Sequence, residues 1–250
     1  MTTKFMAAFA FLGVSFLSGC AASIAPPKVA SAASKAICAG GKVDSDRALI
    51  SYAGCQRVDG DLTLNGISSF APLNRLEHVD GQLVILGNLA KSLSGLDNLR
   101  SVGSIVIDSN SELNDVTALN HLSKANQVVF SGNPRLASPQ GFARVITLDE
   151  LVINHSGFVS LTGLENLRQV RRVEISDNRR LISVRGLRHI TQVGELVLKG
   201  NSRICAQLGF FGGLLQPPAY SQIEHNPTLF ANEIAKLRPA ASPSEIASRN

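Results

Sequence analysis

Tryptophan is absent from this 250-residue chain, aromatic residues of any kind make up 5% of it, and charged residues only 17%. The charged share lies well below the roughly 25% usual in soluble domains, while the apolar share, 44%, is ordinary. That balance excludes an acidic or basic disordered chain, because there is enough apolar surface to build a core. Long apolar runs are scarce as well. The one continuous run stands at the N-terminus, which excludes a multi-pass membrane protein. There is no Gly-rich phosphate loop, no H-E-x-x-H and no G-x-S-x-G. Basic residues do cluster between Arg168 and Arg188, but no aromatic is interleaved with them, which argues against a nucleic-acid partner. At about 150 residues per domain the length accommodates one or two domains, and the formal charge of +5 is mildly basic.

The first segment has a definite layout. Lys4 supplies a positive start, Phe5 to Leu17 is a short apolar stretch, and small residues follow. This is the pattern of a signal peptide over residues 1–19, too short to span a bilayer as a mature helix. Its end, Leu17-Ser18-Gly19-Cys20, resembles the lipobox of bacterial lipoproteins. The resemblance implies cleavage before Cys20 and attachment of the acyl chains there, with stable anchoring because more than one chain is added. Ala21 and Ala22 follow, with no Asp at the second mature position. In a Gram-negative cell that implies passage to the outer membrane. Residues 20–37 are rich in Ala, Ser and Pro without apolar periodicity and read as a tether reaching roughly 20 Å.

Beyond the tether a short pattern recurs. Its strand cores begin at Leu62, Leu83, Ile105, Val128, Leu151, Val173 and Leu196, spaced 21, 22, 23, 23, 22 and 23 residues apart, and a degenerate eighth ends at Ile223. A Leu-x-x-Leu-like step precedes most strands, as at Leu96/Leu99, Leu119/Leu122 and Leu164/Leu167. Asn fills the turn slot at positions 88, 110, 133, 178 and 201, with Ile67 and Ser156 as exceptions. Such a side chain can bond the backbone of its own turn and the Asn of the next. Constant spacing of this kind predicts a mainly β, right-handed parallel β-solenoid of about seven to eight rungs in a single domain, each rung about 4.8 Å from the next. Helical periodicity fails, because the apolar pattern resets at every strand and Gly or Asn interrupts every repeat.

Two rungs carry a further likeness. Val58-Asp59-Gly60-Asp61-Leu62-Thr63-Leu64 and Val79-Asp80-Gly81-Gln82-Leu83-Val84-Ile85 resemble the V-x-G-x-L-x-I rungs of receptor L-domains, and more loosely those of leucine-rich repeats. The likeness runs over about residues 38–230. It implies a solenoid used for binding, with no catalytic residues to carry over. It also implies a disulfide in the N-terminal cap, residues 38–57, where Cys38 and Cys55 match the family's pair. The second pair common near the other end is missing, and Cys205 stands alone. Six rung spacings, about 29 Å, separate it from the first rung, far beyond the roughly 7 Å a disulfide allows. A buried, inert thiol is the simpler reading of Cys205.

Catalysis would need carboxylates converging within a few ångströms. The column before each strand core reads Asp61, Gln82, Ser104, Gln127, Glu150, Arg172, Glu195. Its acids lie two or more rungs apart, about 9 Å at the closest, and Arg172 is placed to pair with Glu150 and Glu195. His121 and His189 share a repeat slot three rungs apart, about 14 Å, too far to share a metal. The sequence therefore predicts no enzyme, no cofactor and no metal site.

Two surface features remain as candidate binding sites. The outward middle residue of each strand forms a column, Thr63, Val84, Val106, Val129, Val152, Glu174, Val197, largely an apolar stripe between polar columns. Contiguous exposed apolar surface marks a partner site, although Val also stacks well in a parallel ladder. The second feature is the arginine group around Arg172, which suits an anionic glycan or lipid headgroup or is simply a solvated basic face. Residues 231–250 are expected to form a cap helix and disordered tail, with Phe230, Ile234 and Leu237 closing the core. The functional expectation is a lipid-anchored envelope module that binds a protein or glycan through its sheet face; a structural, self-associating lipoprotein is the alternative.

Overall fold

The computed structural model describes residues 37–204 and 212–226, with Ile234, Ala235 and Leu237. The leader, Cys20 and the tether up to Ala36 fall outside the described residues, as do Cys205, Phe230 and most of 231–250. Nine strands form one all-parallel sheet in strict chain order. They are β1 (Ile37–Val43), β2 (Arg57–Asn65), β3 (His78–Leu86), β4 (Ser101–Asp108), β5 (Gln127–Ser131), β6 (Thr147–Asn154), β7 (Gln169–Ser176), β8 (Gln192–Lys199) and β9 (Tyr220–Glu224). Among the described residues the named helical elements are one four-residue turn, Asp46–Leu49, and short 3-10 turns, and Ile234 and Ala235 are helical as well. The architecture is a single-domain parallel β-solenoid.

Every strand core foreseen from the repeat lies in a strand, and β9 contains Ile223 as the degenerate rung. The count is nine strands rather than seven or eight rungs because the cap contributes one of its own. Ile37–Val43 reads ICAGGKV and buries only Val43, so it has no apolar-x-apolar signature. It is recruited by pairing in parallel with β2. Cys38 on β1 and Cys55 after the helical turn are joined as a disulfide, with Cα atoms 5.9 Å apart, as the family resemblance implies. The same cap reaches the next turn through Asp46, whose carboxylate accepts hydrogen bonds from the Ser68 hydroxyl and the Ser68 and Ser69 amides. The Ser68 hydroxyl, foremost, holds that carboxyl below its usual range.

The core runs the length of the sheet. The two inward residues of each strand from β2 to β8, such as Leu83/Ile85, Val128/Phe130 and Val173/Ile175, are fully buried. The Leu-x-x-Leu steps form the opposite wall, and Val79, Val102, Ala125, Leu148, Val170 and Val193 close it, all buried. Phe130 sits at the centre of the only ring contacts among the described residues, edge-on to Phe142 at 5.2 Å and to Phe158 at 5.1 Å. At the far end Leu237 is buried and Ile234 packs partly against the core, in line with their expected capping role.

The asparagine column is a continuous polar spine inside this apolar stack. Asn88 N–H donates to Asn110 Oδ1 (2.9 Å), and Asn110 N–H to Asn133 Oδ1 (3.2 Å). Each amide also reaches back to the preceding strand, Asn110 Nδ2 to Ile85 O at 2.9 Å and Asn133 Nδ2 to Ile107 O at 2.8 Å. The spine breaks once, at Ser156. There the hydroxyl donates to Asn154 O (3.0 Å) and no bond to Asn133 forms, before the series resumes through Asn178, Asn201 and Asn226. One residue ahead of every spine position the chain turns through the left-handed region, at Gly66, Gly87, Ser109, Gly132, His155, Asp177, Gly200 and His225. Half of these corners are not glycine. A left-handed L-residue costs roughly 1–2 kcal/mol, and at these four the fixed spacing of the stacked rungs enforces it.

Candidate functional site

Strand register sets the outer face of the sheet. Thr63, Val84, Val106, Val129, Val152, Glu174 and Val197 pair in sequence from β2 to β8, so the expected stripe exists as one column. Val84, Val106, Val129 and Val152 are half-buried, each shielding the next across about 4.8 Å. Val197 belongs to the column but is only 8% exposed and offers little surface. The unbroken apolar part therefore spans four rungs, Val84 to Val152, about 14 Å between the outer strands.

Glu174 ends the stripe and enters a knot around Arg172. The Arg172 guanidinium bonds Glu150 through Nε (3.0 Å), Glu195 through Nη1 (2.6 Å) and Glu174 through Nη2. Glu150 accepts further from Gln127 Nε2. The hydrogen bond to Glu174, first, and the bonds and charge of Glu195 hold the Arg172 pKa above its usual value, against the effect of burial. The register expectation that Arg172 pairs with Glu150 and Glu195 holds in these contacts. The knot adds a third acid and has a net charge of −2. Arg172 is thus a committed cation at the end of the stripe.

The other arginines are wound around the rung rather than gathered on one side. Arg168 donates to Glu165 O and Leu167 O. Arg171 is exposed beside Arg172 in β7, Arg179 and Arg180 follow the Asn178 corner, and Arg185 opens a 3-10 turn that Arg188 caps. Three of the five histidines have separate partners: His78 Nδ1 lies 2.7 Å from Ser101 Oγ, His121 Nδ1 lies 2.8 Å from Asp97 O, and His155 is 3.9 Å from Asp177. No group of three or more metal-ligating side chains occurs among the described residues.

One site has no counterpart in the sequence reading. A groove of about 690 Å³ lies along the first residues of β6, β7 and β8. Leu148, Val170 and Val193 form its floor. Thr147, Gln169 and Gln192, in register, line one edge, Asp149 and Arg171 the other, and the segment Leu215–Ala219 closes it as a wall. Leu215 N–H fastens that wall to Thr191 O at 3.2 Å. The repeat does not reveal the groove because its wall comes from the irregular stretch between β8 and β9. The only local signal is Pro217-Pro218, a chain break without periodicity.

No protein-family model matches the chain, and no curated protein matches it.

Proposed function

We propose that this protein is a lipid-anchored cell-envelope module of the receptor L-domain type that binds a protein partner through the outer face of its sheet and performs no catalysis. The lipobox-like Leu17-Ser18-Gly19-Cys20 and the V-x-G-x-L-x-I rungs support the anchor and the type. The observation that carries the binding role is the four-valine column, Val84 to Val152, with no element of the described residues packed over it. Of the two partner classes open from sequence, a protein suits this face better than a glycan. Half-buried Val methyls beside a charged knot offer apolar contact and directional ion pairing, the mixture found in protein interfaces. The carboxylates nearest one another are engaged by Arg172, which leaves no free acid–base pair in the knot and supports the non-catalytic reading.

A cross-linking pull-down from solubilised envelope checks this, with the full chain as bait beside a Val106→Lys/Val129→Lys variant shown by circular dichroism to remain folded. The wild type is expected to recover a partner protein that the variant loses, since two ammonium groups placed in an apolar contact strip cost several kcal/mol of interface energy, on the order of a hundredfold or more in affinity. An unchanged partner set would remove the stripe from the account. Recovery of the bait alone would favour the self-associating alternative.

A further inference from the structure

The groove at the start of β6 to β8 shares no lining residue with the valine column, so it stands independently of the sheet-face reading. Asp149, Gln169, Arg171 and Gln192 make no side-chain hydrogen bond or ion pair among the described residues, so the polar groups that line the groove are all available to a ligand. Pairing would have been available, since Asp149 and Arg171 stand on adjacent rungs of the same edge.

Volume and chemistry narrow the ligand. About 690 Å³ falls within the range of small-molecule sites. The floor of Leu148, Val170 and Val193 is apolar but nearly flush, with exposures of 6%, 2% and 6%, so there is no slot for an acyl chain or an aromatic ring to enter. Free charge amounts to one carboxylate and one guanidinium, which excludes a polyphosphate or other polyanion. What remains is a row of amides and hydroxyls, each able to donate or accept, repeated at the rung spacing of about 4.8 Å. A bound molecule that meets Thr147, Gln169 and Gln192 in turn must carry mixed donors and acceptors at regular intervals. It must also present a C–H face to the floor and to Leu215, which stands 77% exposed on the wall. Hydroxyl-rich rings joined in a chain have both properties.

We infer that this groove is a binding site for a short oligosaccharide of two or three sugar units bearing at most one net charge. Gln169 and Gln192 read ring hydroxyls along one edge and Asp149 accepts from a vicinal hydroxyl pair. Arg171 takes a sugar carboxylate or a hydroxyl oxygen on the same side. Gly194, which follows Asp149 and Arg171 in the edge series, carries no side chain and leaves that end open for the chain to continue.

The test is saturation-transfer NMR on the full chain in detergent micelles. The probes are soluble trisaccharides of three kinds: neutral β-linked glucan, N-acetylated, and uronate-bearing. Transfer to at least one of them is expected. Its affinity should fall about tenfold or more in Gln169→Ala/Gln192→Ala and in Arg171→Ala and stay unchanged in Val129→Lys. All three groove positions are exposed, so folding is preserved, and circular dichroism verifies it. Absence of transfer to every trisaccharide would overturn the inference, as would transfer that survives both groove variants.

Discussion

Replacing Asn110 by Leu is expected to lower folding stability by about 3 kcal/mol or more, although Leu is apolar, close in size and placed in a buried slot. The side chain serves two neighbours at once. It accepts from Asn88 N–H at 2.9 Å and Asn88 Nδ2 at 3.1 Å, and it donates to Ile85 O and Asp108 O, both at 2.9 Å. Leucine strips the buried Asn88 N–H of its acceptor and Ile85 O of this donor, while Asn88 Nδ2 keeps Leu64 O and Asp108 O keeps Gly87 N–H; each buried group left unsatisfied costs roughly 1–3 kcal/mol. Urea denaturation measures the loss, with Asn114→Leu as a control. Asn114 is exposed and its substitution should stay within about 0.5 kcal/mol. Equal losses at the two positions would mean that the spine is ornamental and that apolar stacking alone holds the rungs together.

Arg172→Met is the second large effect. The guanidinium is about 29% exposed and touches three carboxylates of similar exposure, between the surface case, where a pair is worth up to about 1 kcal/mol, and the buried one, where breaking it costs about 3–5. A loss near 2 kcal/mol is expected at neutral pH. Denaturation midpoints of both proteins at low salt and at about 1 M salt check the cause: screening weakens a partly exposed ion-pair knot, so the gap should narrow as salt rises. A gap that salt leaves unchanged would show that Arg172 contributes by packing its aliphatic stem and not by charge.

Much of the fold was legible because a solenoid repeats its instructions. The L-x-L cores and the Leu-x-x-Leu steps mark each rung, and the register they imply places Arg172 between Glu150 and Glu195. Three things were hidden, each for a physical reason. β1 buries only Val43 and is a strand by virtue of its neighbour, so no periodicity announces it. The left-handed corner shows itself where Gly occupies it. At Ser109, His155, Asp177 and His225 the stack imposes a conformation that the residue alone would not choose. The groove depends on a non-repeating wall packed beside repeating strands, and no pattern along the chain encodes that juxtaposition. The break at Ser156 was visible as an exception in the Asn series, but its consequence, a spine in two segments, required the hydrogen bonds.

The candidate faces divide in the same way. The valine column was readable from alternation alone, while its degree of shielding depends on how closely successive rungs stack and so on three-dimensional structure. The arginine group looked contiguous along the chain, yet one turn of the solenoid spends 22 or 23 residues going around, so neighbours in sequence face different sides.

The central claim is that the outer sheet face is the surface the protein uses. The most direct measurement places a photo-activatable cross-linking amino acid at Val129 in the full chain, in intact cells, and separately at Arg180 on another side of the rung. The account predicts an adduct with a second protein from position 129 and none from position 180. An adduct from position 180 alone, or no adduct from position 129, would contradict it.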